Sequence, residues 1–110
     1  MSRVKRGHRE AESLMAAAER LSALAWWWGC APYPAKDLEV AWKDILFAEF
    51  HDILPGSAVP SAERDSVQLL ALAREILRRQ QFRALHSLVC RDVDAAQGEA
   101  PVFVANPHSF

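Results

Sequence analysis

Between Arg9 and Trp28 the apolar residues recur at Leu14, Ala17, Ala18, Leu21, Leu24, Ala25 and Trp28. Steps of three and four keep them on one face, so the spacing predicts a first α-helix over Arg9–Trp28. Alanine and leucine dominate the segment, and both lose little side-chain freedom in a helix. Gly29, followed by Pro32 and Pro34, ends it. Consecutive helical residues point about 100° apart, so Trp26, Trp27 and Trp28 cannot all enter one core. At least one of them is expected in solvent or against a neighbouring domain.

The prolines of the connection over residues 29–36 forbid regular helix. Beyond it Leu38, Trp42, Ile45, Leu46 and Phe50 repeat at helical spacing, which predicts a second helix capped by Asp37 and running to Phe50. Pro55-Gly56-Ser57 marks a turn. Ser61 then has N-cap chemistry, with Glu63 placed where a negative charge meets the positive end of the helix dipole. No Gly or Pro follows until after Asp92, which predicts a third helix of about 30 residues and roughly 45 Å. Its apolar face comprises Val67, Leu70, Ala73, Leu77, Ala84, Leu85 and Leu88, widened by Leu69, Leu72, Ile76 and Phe82. Three such helices can bury their faces only against one another, so the expected fold is an all-α three-helix bundle.

The tail changes character. Residues 101–107, Pro-Val-Phe-Val-Ala-Asn-Pro, read as one short β-strand. A lone strand has no partner within this chain and is a liability for an isolated domain, so it is expected to lead into a β-rich domain beyond the chain. The expected division is a helical domain over residues 1–94 and a linker plus first strand over residues 95–110.

Composition narrows the function classes. A chain of 110 residues holds one small domain, and 51% hydrophobic with 25% charged residues is ordinary for a soluble globular protein. Thirteen basic residues against fourteen acidic ones give a net charge of -1, so no global field attracts nucleic acid or an anionic membrane. Arg74, Arg78, Arg79, Arg83 and Arg91 interleave with Glu63, Asp65, Glu75 and Asp92, which reads as a solvated helix face. Cys30 and Cys90 lack the spacings of a structural zinc site and read as buried free thiols, with one disulfide left open. The basic N-terminus lacks a nearby apolar run of the secretory kind, and the apolar stretch Leu24–Trp28 is far below the roughly 20 residues of a membrane span.

The segment that breaks the local rules is Phe50-His51-Asp52-Ile53-Leu54. Two titratable groups sit among hydrocarbon, where burial costs free energy unless they are paired or hold a metal. Asp52 also lies near a helix C-terminus, where the dipole disfavours negative charge. On the pattern alone a cap and surface pair accounts for this better than a site does, and one His with one Asp does not complete a zinc site.

The run Phe50-His51-Asp52-Ile53-Leu54-Pro55-Gly56-Ser57, preceded by Trp42-Lys43 and Ile45-Leu46, closely resembles a segment of glycoside hydrolase family 38, the class II α-mannosidases. Ser2-Arg3, Lys5, Arg9 and Glu12 are similar to the opening of that family's central helical domain, with His8 standing where many members carry Asn. Residues 102–110, with Asn106-Pro107, resemble the entry into its C-terminal β-sandwich domain. The resemblance implies a retaining exo-mannosidase acting on terminal mannose of an oligosaccharide or glycoconjugate, with a zinc ion on the sugar's 2- and 3-hydroxyls. It assigns His51 as a zinc ligand and Asp52 as the carboxylate that hydrogen-bonds the bound mannose. A neutral imidazole suits zinc, and an acceptor-only carboxylate suits sugar hydroxyls. Gly56 would let the backbone turn close to the site.

The other zinc ligands, the nucleophile and the general acid belong, by the same resemblance, to an N-terminal α/β domain outside this chain. Retaining glycosidases need two carboxylates about 5 to 5.5 Å apart, and no such pair is nominated by the sequence. The chain alone is therefore expected to be inactive and to hold zinc weakly. Its partners are the missing α/β and β domains, and the form of the motif resembles cytosolic and bacterial members, which implies a cytoplasmic location. A second reading is a stand-alone helical interaction module without catalysis. A third, a self-contained metal-binding bundle, would need His8, His51, His86 or His108 to converge; His86 reads as a helix-surface residue.

Overall fold

The computed structural model describes residues 3–49, 60–90 and 97–108. Three helices follow in order, α1 (Arg3–Trp27), α2 (Ala35–Glu49) and α3 (Pro60–Val89). Each packs against the other two, forming an elongated bundle of 58 × 27 × 25 Å. None is long and apolar enough to cross a membrane. Among the described residues there is no strand: residues 99–107 have no regular secondary structure, and Val102, Phe103 and Val104 are exposed. The tail is held back on α1, where Arg20 Nη1 donates to the Pro107 carbonyl at 2.8 Å.

Helix α1 begins at Arg3, well ahead of the expected Arg9. The reason lies at Gly7 and His8, which interrupt the apolar pattern yet are both buried. At Gly7 the side chains of α3 come close: a Cβ there would lie 3.3 Å from Arg74 Nη1 and 3.6 Å from Leu70 Cδ1. The chain leaves α1 as the sequence predicts. Gly29 adopts φ +70, the left-handed conformation glycine accepts without a Cβ clash. Gly29 N donates to Trp26 O at 3.0 Å and Cys30 N to Ala25 O at 2.8 Å, the paired bonds of a Schellman motif.

Two expected caps move. Leu38 N donates to Pro34 O at 3.1 Å, so Pro34 rather than Asp37 occupies the cap position of α2. Asp37 falls in the first turn, still facing the positive end of the dipole, and its Oδ2 accepts from Gln80 Nε2 of α3 at 2.8 Å. Helix α3 starts at Pro60, ahead of Ser61. Proline suits a first helical position because its missing N–H would have no intrahelical partner there.

The core is built from small and branched residues. Val4, Ala11, Met15 and Ala18 of α1 meet Leu38, Ala41, Ile45 and Ala48 of α2 and Leu70, Ala73 and Leu77 of α3. A smaller cluster of Leu21, Ala25 and Ala84 lies beneath Cys30 and Ala31. Full burial of a side chain such as Ile45, Leu70 or Leu77 contributes roughly 1.5 to 3 kcal/mol. The face of α2 differs from the expected one: Leu38, Ala41, Ile45 and Ala48 are inward, while Trp42 and Leu46 are exposed on its flank. The alanines let the helices approach closely, which leaves the wider side chains outside. Leu24 is likewise exposed, and so are Trp26, Trp27 and Trp28, Trp27 at 76%.

Candidate functional site

Helix α2 carries the chain to the segment singled out in the sequence. Its last described residue is Glu49; His51 and Asp52 lie outside the described residues. What the structure shows is how the approach to them is fixed. Ile45 and Ala48 are fully buried in the last two turns of α2. Beside them Glu49 Oε1 stands 2.9 Å from Nε2 of His8, a residue of α1 that is 4% exposed. The contact is short but the ring N–H is not aligned with the carboxylate oxygen, so among the described residues His8 Nε2 is buried without an aligned hydrogen bond. On its other side His8 Nδ1 is 3.7 Å from Glu12 Oε2, one helical turn along α1.

His8, Glu12 and Glu49 thus offer one ligand atom each within 4.8 Å of one another. Glu49 is not singled out in the sequence; Glu12 enters there only as part of the opening motif, and His8 only as standing where related chains carry Asn and as one of four histidines of a possible metal bundle. The signal was present: Val4, His8, Ala11 and Met15 follow one helical stripe once α1 is taken back to Arg3. Among the described residues His8, His86 and His108 do not converge, since His86 and His108 are exposed and lie outside this group; His51, the fourth histidine of that reading, lies outside the described residues. His86 stacks on Phe82 with ring centroids 5.8 Å apart. It also lies 3.5 Å from the Cys90 thiol through Nε2. Both cysteines are free, but neither is buried as expected: Cys30 is half-buried, and Cys90, just past the end of α3, is exposed.

Glu10 accepts from Arg6 at 3.1 Å and from Arg74 at 2.8 Å. The Arg6 hydrogen bond holds the Glu10 carboxyl below its ordinary range despite an opposing desolvation, with the Arg74 charge adding to it. Asp44, half-buried on α2, is pushed up by burial. Of the α3 arginines, Arg78, Arg79 and Arg83 are exposed as expected, Arg79 paired with Glu75, whereas Arg74 is half-buried and tied to Glu10 of α1; Arg91 lies outside the described residues. A cleft of about 260 Å³ bounded by Ser22, Ala25, Pro34, Gln80 and Ala84 lies more than 20 Å along α1 from His8, by the helical rise of about 1.5 Å per residue. Its one charged wall residue among those described is Arg83, so it brings no carboxylate pair to a substrate.

The sequence pattern of the alpha mannosidase middle domain matches residues 1–88, which takes in all three helices almost to the end of α3. The chain belongs to this family. As a middle domain of the family 38 type it is similar to alpha-mannosidase 2C1 of Mus musculus, at 33% identity over 67 residues. It is similar also to alpha-mannosidase 2C1 of Homo sapiens, at 31% identity over 67 residues. Each match covers 60% of this chain and 6% of the relative, so the middle domain here corresponds to a small part of those proteins. No solved structure matches it. The matched span contains Phe50-His51-Asp52-Ile53-Leu54-Pro55-Gly56-Ser57.

Proposed function

We propose that this middle domain serves a zinc-dependent retaining α-mannosidase, supplying His51 as a zinc ligand and Asp52 as a contact to the terminal mannose. The observation that carries the reading is the family match over residues 1–88, with His51-Asp52 inside it. Support also comes from the helix that delivers the pair. Ile45 and Ala48 bury its last turns and Glu49 is set against His8, so the chain enters the motif from a fixed point. Positioning of this kind matters because a misplacement of about 1 Å at a reacting centre costs around a hundredfold in rate.

One His and one Asp fall short of the three protein ligands of a catalytic zinc. The remaining ligands, the nucleophile and the general acid are assigned to an N-terminal α/β domain outside this chain. Zinc, when bound, supplies Lewis-acid stabilisation of the sugar hydroxyls. His51 would supply an imidazole nitrogen to that ion, and Asp52 would accept hydrogen bonds that fix the sugar's orientation. The exposed apolar flanks of α2, Trp42 and Leu46 on one side and Val40 and Phe47 on the other, are surface on which such a domain can pack.

The test is turnover. The full-length protein carrying this domain is expected to release an aryl leaving group from an aryl α-mannoside with retention, and to lose that activity on chelation. The 110-residue chain alone is expected to give none. A full-length protein without turnover would favour a helical interaction module instead.

A further inference from the structure

We propose that His8, Glu12 and Glu49 form a metal site made wholly from this chain, taking a divalent transition ion of the zinc class at the junction of α1 and the end of α2. The geometry is the first ground. Donor atoms bonded to zinc at about 2.0 to 2.2 Å lie roughly 3.3 to 3.6 Å from each other, and the three ligand atoms here already lie within 4.8 Å of one another. His8 and Glu12 stand one helical turn apart on one face of α1, and Glu49 closes the group from α2.

The second ground is His8 itself. Its ring is buried, its Nε2 faces Glu49 at 2.9 Å, and among the described residues that nitrogen has no aligned hydrogen-bond partner. A buried ring nitrogen left so is costly, and a metal bond satisfies it. The two carboxylates supply what the ring lacks. Their side chains are 49% and 40% exposed, so both can turn to meet an ion, while packing holds the imidazole in place. A mixed imidazole and carboxylate set suits zinc-like ions over calcium or magnesium, which prefer oxygen alone. Open coordination positions remain for water.

An ion there would clamp the last turn of α2 to α1 ahead of the His51 segment. The site does not rest on the mannosidase reading, and its test keeps the two apart. Metal-stripped full 110-residue chain, with Cys30→Ser and Cys90→Ser to remove competing thiols, is titrated with zinc chloride by calorimetry. One ion per chain is expected, with a rise in melting temperature as zinc is added. Glu12→Gln, at a half-exposed position that leaves the core intact, should weaken binding about tenfold or more, and His8→Ala further; His51→Ala should leave it unchanged. Circular dichroism of each variant establishes that the helices are present. Absence of zinc binding, or binding that survives Glu12→Gln and disappears in His51→Ala, overturns the proposal.

Discussion

His8 of α1 stands with its Nε2 2.9 Å from Oε1 of Glu49, the last described residue of α2. The two are far apart in sequence, and their approach joins the N-terminal part of the first helix to the C-terminal end of the second. That end is where the chain passes into Phe50-His51-Asp52. The bundle therefore fixes the last helical turn before the motif, through buried Ala48 on one side and His8 on another.

The exit from α1 gives a backbone prediction. Gly29 holds φ +70 with nothing within 4 Å of an added Cβ, so Gly29→Ala meets no clash and its cost is conformational alone. A loss of about 1 to 2 kcal/mol is expected, read as a lower midpoint in urea denaturation with an unchanged slope. An unaltered midpoint would mean that the Schellman turn is not held in the folded chain.

Asp37 and Gln80 give a second. Gln80 is buried, and its amide donates to Asp37 at 2.8 Å. Asp37→Ala leaves that amide unpaired and should cost about 1 to 3 kcal/mol, whereas Asp37→Asn keeps an acceptor and should cost less. Thermal melts of the two variants side by side separate the hydrogen bond from the helix-dipole effect; equal losses would assign the whole effect to charge.

Asp44 predicts a pH dependence. Burial raises its carboxyl above the ordinary 3.8, so in the folded chain the proton is held to higher pH than in the unfolded one. A group raised in this way favours folding in acid, and that contribution is lost as pH rises through the folded value. Asp44→Asn should therefore stabilise the chain at pH 7, with the gain closing by pH 3, where both states are protonated. Glu10 moves in the opposite sense, its stabilisation present above its ordinary 4.5 and lost in acid. Comparing variant and parent at each pH removes that background. A gain of equal size at both pH values would contradict the account.

The bundle was legible because its signal is periodic. Leu70, Ala73, Leu77 and Ala84 read as one face of α3 and are buried as one face. The turn at Gly29 was legible because a single residue type dictates it. The inward face of α2 was not, since Trp42 and Leu46 match the helical period as well as Ala41 and Ala48 do, and only the closeness of the helices selects the small residues. The start of α1 was hidden by Gly7 and His8, whose burial depends on Leu70, Arg74 and Glu49, partners distant in sequence. For the candidate site the motif carried the chemistry and the structure added its anchorage. Pairing of His8 with Glu49 joins two helices, and no local pattern announces it.

The central claim is that His51 brings this domain to a zinc site shared with the rest of an α-mannosidase. Zinc content per molecule of the purified full-length protein, by plasma emission spectrometry, tests it most directly when compared with His51→Ala in a His8→Asn background, where zinc at the α1–α2 junction does not contribute. The account predicts about one zinc in the background protein and a clear loss on adding His51→Ala, with helicity by circular dichroism retained. Full zinc occupancy after His51→Ala, in a protein that remains folded, would contradict it.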